Sequence, residues 1–497
     1  MAAEYVIAFD LGTSGVKAAV TDMTGRIVAS RTVSYSLTTL ADGWVDQDVE
    51  QIMRSIALAT GELLDADDVG AADIAGIGVT GQMFNVVPVD AGGEPLMSMI
   101  HWLDLRTTAQ ERRLRDRIAP DEQFRMFGSL VTAKDVIPKI MWLREERPDV
   151  WRRTAWLLDC KDAVIARLAG TAGTDFGTAN AFHLLDAATA AWIGSADDLI
   201  PGLTRRLPPV GPSCRVAGSL GQRAAAALGL PTGTPIVVGG GDVLATQVGS
   251  GAIADGDVQL SLGTAAYWGV TLAQPGLDPG RRVGPLTHMD PELSILWLEI
   301  ATAGGAMAWF LRVLEGEGAI DQGIIDRLLR GTAPDDVPIF APWLTGERAP
   351  IFDDEIRGAF VGLKLAHGRG HLLRAVAEGV ALQIRWAFDY ALSFGGPVGS
   401  IRVIGGGALS DAWLQIIADA IERPLLLIDG AQEAGARGAA QTVLVTLGVE
   451  PDFGFASRGA LIVRSIDPDA DGSARLRARY AIYRGLYEAL RVLPTGG

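Results

Sequence analysis

Short apolar runs end in glycine turns along the whole chain, and longer stretches with helical spacing separate them. Stretches rich in apolar and β-branched residues lie at positions 6–9, 16–21 and 27–34, and tight turns lie between them. This pattern predicts consecutive strands at an antiparallel sheet edge. The next stretch, 49–64, carries Ile52, Ile56 and Leu63 on one helical face. Strand and helix patterns then alternate to the end of the chain, which predicts an α/β fold.

One strand–turn–strand pattern occurs twice. Residues 8–21 read AFDLGTSGVKAAVT, and residues 259–272 read QLSLGTAAYWGVTL. Both contain Leu-Gly-Thr between two apolar runs. A turn of this kind presents small residues and backbone N–H groups, which form a concave site for a phosphate. The repeat therefore predicts two related domains that bind one polyphosphate from opposite sides.

The two copies differ at one informative position. Asp10 in the first copy aligns with Ser261 in the second. A carboxylate beside a phosphate turn is unfavourable unless a cation lies between them, so we predict that Asp10 binds a metal ion. Lys17 follows the first turn and either reaches a phosphate or lies at the protein surface; the sequence leaves both readings open.

Composition narrows the class of protein. A chain of 497 residues is too long for one ordinary core, so we predict two domains, 1–248 and 249–497. The formal charge of −16 disfavours nucleic acid and anionic membranes as partners. Cys160 and Cys214 have no disulfide or metal spacing. Neither a signal peptide nor a membrane span is predicted, and we expect a cytoplasmic protein.

Three glycine runs are predicted to follow strands directly, at 78–81, 239–241 and 405–407. In open α/β sheets, ligands bind beyond the carboxyl ends of strands, where glycine allows the backbone to approach them. A single run is equally consistent with a tight turn. Together with the two Leu-Gly-Thr turns, the three runs predict a nucleotide site. The chain contains no Gly-x-x-x-x-Gly-Lys-Ser/Thr loop.

Asp242 closes the second glycine run and precedes an apolar helical stretch. Aspartate is a good helix N-cap, and it is also the group that accepts a hydroxyl proton in phosphoryl transfer. The local sequence leaves both roles open, and one residue can perform both.

Motifs along nearly the whole chain resemble those of the FGGY carbohydrate kinases, and within them the xylulokinase-like branch. The motifs are DLGTSGVKA (10–18), GWVDQD (43–48), TGQM (80–83), WLDLR (102–106), GGGD (239–242), SLGT (261–264), TGERAP (345–350), GAFVGL (358–363) and GGGALSDAWLQIIAD (405–419). The resemblance implies two ribonuclease H-like domains of the actin and hexokinase type, with a cleft between them.

The resemblance also implies the chemistry: ATP phosphorylates a hydroxyl of a sugar, with D-xylulose as the first candidate and a polyol or another ketose (ribulose, erythritol or glycerol type) as the alternative. It implies that Asp242 is the general base and that Asp10 holds Mg²⁺. The implied nucleotide-binding residues are Gly12, Thr13, Ser14, Lys17, Gly263, Thr264, Gly406, Gly407 and Ala408. The implied sugar-binding residues are Gln82, Met83, Phe84, Trp102, Asp104 and Asp242.

Two departures from the xylulokinase-like pattern bear on the substrate. Phe84 stands where that branch usually has His, and Val243 stands where it usually has Asn. Both changes remove a hydrogen-bonding group from the implied sugar site. A third departure, Val136 in the segment around Lys139, is interpreted as a change on a helix surface. A homodimer is left open.

Two readings from other classes are disfavoured. A nucleotide-driven sensor on the same fold predicts loss of the base, but Asp242 is present. A dinucleotide oxidoreductase predicts an acid about 20 residues after the first glycine turn, at the end of a parallel strand. Asp22 comes too early for that role and lies in a predicted hairpin turn.

Overall fold

A computed structural model describes residues 4–40, 43–66, 69–186, 189–274, 284–315 and 322–492. These residues form two compact units. The first unit comprises residues 1–253, 277–295 and 433–460, and the second comprises 254–276, 296–432 and 461–497. Two segments of the second half of the chain thus cluster with the first unit. The boundary of sequence domains between residues 248 and 249 stays a prediction.

The strands are short and number 24 in the described residues. They are β1 (Tyr5–Leu11), β2 (Gly15–Asp22), β3 (Ile27–Ser34), β4 (Thr38–Thr39), β5 (Val45–Gln47), β6 (Ile74–Gly81), β7 (Val87–Val89), β8 (Met99–Ile100), β9 (Trp156–Leu158), β10 (Thr174–Asp175), β11 (Leu185–Asp186), β12 (Ala191–Trp192), β13 (Val210–Gly211), β14 (Val216–Ser219), β15 (Pro235–Val237), β16 (Val258–Leu262), β17 (Ala266–Leu272), β18 (Leu286–Thr287), β19 (Ser294–Ile300), β20 (Ile339–Ala341), β21 (Ala359–Val361), β22 (Ile401–Ile404), β23 (Leu425–Ile428) and β24 (Ile462–Ile466).

The described residues contain 17 α-helices, and the first of them covers the stretch 49–64, whose apolar spacing predicts a helix. They are α1 (Val49–Ala66), α2 (Thr108–Arg117), α3 (Pro120–Phe127), α4 (Val136–Glu146), α5 (Pro148–Arg153), α6 (Cys160–Ala169), α7 (Phe176–Ala181), α8 (Ala196–Leu199), α9 (Gln222–Leu228), α10 (Asp242–Gly249), α11 (Gly304–Glu315), α12 (Gln322–Gly331), α13 (Arg369–Leu392), α14 (Asp411–Ile421), α15 (Ala434–Thr446), α16 (Ala456–Gly459) and α17 (Ala470–Leu490).

The first unit is built on a six-stranded sheet with the order β14-β15-β6-β1-β2-β3. β1 to β3 form the predicted antiparallel edge, and β6 runs parallel to β1. Side chains of β1 alternate between two cores. Ile7 and Phe9 pack in the larger core with residues of α1 and α6, whereas Val6 and Ala8 pack in a smaller core with residues of α15. The central strand β1 is therefore buried on both faces.

Helix α15 lies close to its neighbours because small residues form its inner side. A Cβ atom built on Gly438 would lie 1.9 Å from the carbonyl oxygen of Ala245 in α10. A Cβ atom built on Gly249 would likewise lie 1.8 Å from the carbonyl oxygen of Ala434. Glycine at both positions allows the backbones of α10 and α15 to touch, as small residues do wherever helices cross closely.

The second unit repeats the arrangement of the first. Its sheet contains β19-β17-β16-β22-β23-β24 in that order. β16 and β17 form the second strand–turn–strand unit, and β22 runs parallel to β16. In both units a Leu-Gly-Thr turn connects two antiparallel strands. A later strand then pairs in parallel with the first of these two strands. The predicted repeat of the sequence is thus a repeat of topology.

Two local predictions are wrong. Residues 78–81 were predicted as a glycine turn after a strand, but both glycines lie within β6. A Cβ atom on Gly78 would lie 2.5 Å from the carbonyl oxygen of Ala439, so glycine serves the close packing of α15 rather than a turn. Helical spacing over 155–168 predicts a helix there, but α6 begins only at Cys160, because Trp156–Leu158 pairs as β9 with β7. Among the described residues, no helix is long and apolar enough to cross a membrane.

We predict that Gly438→Ala destabilises the protein, because the new Cβ has backbone atoms as neighbours that cannot turn away. The melting temperature should fall by about 5–10 °C, as expected for overpacking of a buried site. Gly61→Ala is the matched control, since Gly61 lies in α1 and a Cβ there has no atom within 4 Å. Its melting temperature should stay constant or rise by about 1–3 °C. Equal melting temperatures of the two variants would contradict the close crossing.

Candidate functional site

Asp10 lies near the end of β1, between Lys17 of β2 and Thr80 of β6. Its carboxylate faces α15, where a Cβ atom built on Gly435 would lie 2.4 Å from Oδ2. Burial raises the pKa of Asp10 to about 6, and the positive charge of Lys17 acts against this shift. The missing side chain of Gly435 therefore makes the space that this carboxylate occupies.

The first Leu-Gly-Thr turn connects β1 and β2 as predicted. The N–H of Gly12 donates to the carbonyl of Gly15 at 3.0 Å, which closes the turn. Thr13 accepts a hydrogen bond from the indole N–H of Trp102 on its hydroxyl at 3.2 Å. Ser14 is exposed at the tip of the turn. Gly12, Thr13, Ser14 and Asp10 thus lie together at one end of the β1–β2 hairpin.

Asp242 is the first residue of α10, directly after the glycine run 239–241. Gly239 adopts a left-handed conformation with φ 64°, and Gly241 is the helix N-cap. The carboxylate of Asp242 accepts the N–H of Val243 at 2.8 Å. Burial raises the pKa of Asp242 to about 7, and the negative charge of Asp10 adds to the shift. The two predicted acids are thus electrostatic neighbours within the first unit.

Gln82 and Met83 follow β6 and lie beside the glycine run that carries Asp242. A Cβ atom on Gly241 would lie 2.3 Å from the sulfur of Met83, so this side chain packs directly on the residue before Asp242. The amide of Gln82 hydrogen bonds with the side chain of Gln47, whose own amide donates to the Thr13 carbonyl at 3.3 Å. Both predicted sugar-binding residues are therefore tied to the two acid-bearing segments.

Phe84 has a left-handed backbone, with φ 65°, which is a strained conformation for an aromatic residue. Lys139 stabilises it, because its ammonium group donates to the Phe84 carbonyl at 2.7 Å. Lys139 is buried, and burial lowers its pKa to about 8. The interpretation of this segment of α4 as a helix surface is therefore wrong. A lone lysine in a helix is usually exposed, so the sequence held no sign of this contact.

Asp104 supports the loop of Trp102 from within the protein. It is buried, and its carboxylate accepts the N–H of Val45 at 2.5 Å and the guanidinium of Arg106 at 2.9 Å. Arg106 also pairs with Asp46. The structure thus brings Trp102 to the first Leu-Gly-Thr turn, whereas the carboxylate of Asp104 is occupied by groups of the protein itself.

The predicted nucleotide-binding residues of the second unit line one cavity of about 780 Å³. Gly263, Thr264, Gly406 and Gly407 all contribute to it, and Ala408 follows in the same short 3₁₀ turn. The N–H groups of residues 303–305 donate to the carbonyls of Gly263 and Thr264 at 2.9–3.0 Å. These hydrogen bonds hold the second Leu-Gly-Thr turn in place. Sequence reasoning missed two lining residues, Trp309 and Arg312, since α11 showed only an apolar helical pattern.

Glu347 is a further residue whose place the sequence did not show. Its carboxylate is buried and accepts the N–H groups of Ala301 and Arg348, each at 2.8 Å. Burial raises its pKa to about 8, although these two N–H groups act against the shift. Glu347 thus holds the beginning of the segment that leads to residues 303–305. The guanidinium of Arg348 does not pair with Glu347 but lies 3.9 Å from a carboxylate oxygen of Asp354.

A preformed cage for a metal ion is not found in the described parts of the chain, since they contain no group of three or more His, Cys, Asp or Glu side chains suited to one. Mg²⁺ in phosphoryl-transfer enzymes is usually held by one or two carboxylates together with phosphates and water. Asp10 alone fits that donor set, with phosphates and water as the remaining ligands.

The chain belongs to the FGGY family of carbohydrate kinases. The family's N-terminal domain matches residues 5–249, and its C-terminal domain matches residues 258–447. The predicted family, the two-domain α/β fold and the kinase activity are thereby confirmed. Membership of a family of carbohydrate kinases implies that the protein uses ATP. The roles of the single residues stay predictions.

Similar proteins include kinases of different sugars. The chain is 29% identical to a xylulose kinase of Bacillus subtilis, over 99% of this chain and 98% of that protein. It is 24% identical to a gluconokinase of Bacillus licheniformis, over 91% and 90% of the two chains. Among solved structures, a xylulose kinase from Brucella ovis superposes with a TM-score of 0.89 at 29% identity, over 99% of this chain and 100% of that chain.

We predict that the buried Glu347 makes the fold less stable as the pH rises. Its pKa in the folded protein, about 8, lies above the ordinary value of 4.5. A carboxyl group whose pKa is raised by folding stabilises the folded state fully below its ordinary pKa, and that contribution is lost as the pH rises toward 8. Glu347→Gln keeps an acceptor and cannot ionise. Between pH 6 and pH 9 its melting temperature should therefore fall less than that of the wild type. A parallel fall would show that Glu347 does not titrate in this range.

Proposed function

We propose that this protein transfers the γ-phosphoryl group of ATP to a hydroxyl of a neutral ketose, with D-xylulose as the first candidate and D-xylulose 5-phosphate as its product. The observation that carries the proposal is the place of Asp242. It is a partly exposed carboxylate at the start of α10, beside Met83 and within electrostatic reach of Asp10.

In the proposed reaction Asp242 accepts the proton of the sugar hydroxyl. The hydroxyl oxygen forms a bond to the γ-phosphorus, and the bond from that phosphorus to the bridging oxygen breaks, so that ADP leaves with the bonding electrons. A general base works best when its pKa lies near the working pH. A pKa of about 7 suits Asp242 for this task.

The residue that would hold Mg²⁺ is Asp10. Bound Mg²⁺ neutralises negative charge on the phosphates. Asp10 is suited to such an ion because its burial disfavours the charged carboxylate, as its raised pKa indicates, and a bound cation would offset that cost. In the second unit, Gly263, Thr264 and the turn at 406–408 are the proposed contacts of the nucleotide.

Charge favours a neutral sugar over an aldonate. Three buried cations lie on segments that contact the proposed sugar residues. Arg106 bonds to Asp104, Lys139 bonds to the carbonyl of Phe84, and Lys161 follows Cys160, whose sulfur lies 3.9 Å from the amide nitrogen of Gln82. Arg106 is paired with Asp104 and Asp46, Lys139 donates to backbone carbonyls, and Lys161 is paired with Asp162 and Asp175. A substrate carboxylate would have to compete with these partners. We therefore rank a ketose above gluconate, although a gluconokinase is among the relatives.

The test is ADP release over a panel of ketopentoses, polyols and aldonates. D-xylulose or another neutral ketose should stimulate ADP release, whereas D-gluconate should not. Asp242→Asn keeps the size and a hydrogen-bonding side chain but cannot accept the proton. It should lower sugar-dependent turnover by about 10²–10⁴-fold, while ATP still binds. A variant that keeps more than a third of the wild-type turnover would remove Asp242 from the role of base, and D-gluconate as the best substrate would contradict the assignment by charge.

We predict that Phe84→His improves kcat/KM for D-xylulose. Phe84 and Val243 each lack a hydrogen-bonding group that the xylulokinase-like pattern supplies. Losing one bond to a neutral hydroxyl costs roughly 0.5–1.5 kcal/mol, so two losses raise KM by about one to two orders of magnitude. Histidine also tolerates the left-handed backbone of this position better than phenylalanine. The measurement is steady-state kinetics with D-xylulose. A micromolar KM of the wild type that worsens in the variant would contradict this reading of the site.

A further inference from the structure

We propose that Asn85 and Asp159 form a pair of positioning residues that sets the place of Trp102, and with it the affinity for the sugar. The inference rests on the proposed function, because it takes Gln82, Met83 and Trp102 as sugar contacts. Neither Asn85 nor Asp159 belongs to the residues that the family motifs implied, and both are buried.

Asn85 joins two stretches of the first unit through its side chain. Its amide nitrogen lies within hydrogen-bonding distance of the carbonyl oxygens of Gln82, at 2.9 Å, and of Met83, at 3.1 Å. Its amide oxygen accepts the backbone N–H of Trp102 at 2.9 Å. One buried side chain thus fixes both stretches of proposed sugar contacts relative to each other.

Asp159 holds Asn85 in the orientation that these contacts need. It is the N-cap of α6, where Oδ1 accepts the N–H of Cys160 at 2.7 Å. The same oxygen accepts the side-chain amide of Asn85 at 2.9 Å and its backbone N–H at 3.2 Å. Because Asp159 accepts from the amide nitrogen, the amide oxygen of Asn85 must face Trp102.

Trp102 carries the arrangement on to the phosphate turn. Its indole N–H donates to the hydroxyl of Thr13 at 3.2 Å. The contacts therefore run from α6 through Asn85 to Trp102 and end at the first Leu-Gly-Thr turn. Each step joins segments that are distant in the sequence, so the pair determines the relative position of groups that no local turn could fix.

Substitutions of Asp159 distinguish whether its hydrogen bonds or its negative charge are important. Asn85 needs one acceptor oxygen at position 159, and an asparagine side chain supplies it as well as an aspartate does. Asp159→Asn should therefore keep the arrangement, whereas Asp159→Ala and Asn85→Ala should lose it. If the negative charge of Asp159 were the important property, Asn and Ala at this position would behave alike.

The kinetic test uses D-xylulose and ATP with the full chain. Asp159→Ala and Asn85→Ala should each raise KM for D-xylulose by about tenfold, as loss of a partner inside a buried network does. KM for ATP should stay within about twofold. Asp159→Asn should raise KM for D-xylulose by less than about threefold. The double variant Asn85→Ala/Asp159→Ala should be no worse than either single one, because both remove the same arrangement.

A second readout does not depend on the identity of the sugar. The indole N–H resonance of Trp102, assigned by its loss in Trp102→Phe, should shift in Asp159→Ala and Asn85→Ala. It should stay near its wild-type position in Asp159→Asn. If the wild type does not use D-xylulose, the proposed substrate is wrong, and the resonance, together with KM for the best sugar of the panel, still tests the pair.

Asp469→Ala is the matched control for the loss of a helix cap. Asp469 caps α17 in the second unit and accepts the N–H of Gly472 at 2.8 Å. It should lower the melting temperature without a change in either KM. The inference would be overturned by equal effects of Asp159→Asn and Asp159→Ala, by equal increases of both KM values, by additive effects in the double variant, or by an unshifted Trp102 resonance.

Discussion

The close contact of α15 with α10 and with the sheet of the first unit is the constraint on which the proposed chemistry depends. At each contact a side chain is missing. Gly438 and Gly249 let the two helices touch, Gly78 admits the backbone of Ala439, and Gly435 leaves room for the carboxylate of Asp10. Because α10 begins with Asp242, this packing fixes the start of α10 relative to β1. The two acids are brought together by helices and a strand, not by flexible loops, and such rigid placement is what a catalytic site requires.

The same packing explains the electrostatics of the acids. Burial raises the pKa of both Asp10 and Asp242, and the charge of Asp10 raises that of Asp242 further. Two neighbouring carboxylates that are largely removed from water are unfavourable when both are charged, which is the physical reason for assigning a cation to Asp10. A pKa near neutrality favours the proposed role of Asp242 as the general base. The residues proposed to bind the sugar are held by hydrogen bonds within the protein. Lys139 bonds to the carbonyl of Phe84, and Asn85 bonds to the backbone N–H of Trp102.

The sequence predicted what depends on neighbouring residues. Both Leu-Gly-Thr hairpins, most helices and the family followed from local patterns and motifs, and Asp10 and Asp242 were named from their surroundings. It failed where the cause is distant in the chain. Gly78 looked like a turn because α15, which excludes its side chain, lies more than 350 residues later. The burial of Lys139 could not be seen in the sequence, because its acceptor, the carbonyl of Phe84, lies 55 residues earlier in the chain. The roles of Asn85, Asp159 and Glu347 could not be read from the sequence either, since their hydrogen-bond partners lie far away along the chain.

The most direct test of this account is Gly435→Ala. Alanine favours the helix, and its Cβ would lie 2.4 Å from Oδ2 of Asp10, a side-chain atom that can move away. The account predicts a melting temperature within about 3 °C of the wild type and a kcat lowered by about tenfold or more, because the carboxylate is displaced. In an Asp10→Ser background the same substitution should change kcat little. A Gly435→Ala protein that keeps more than half of the wild-type kcat would contradict the claim that α15 places Asp10 for the reaction.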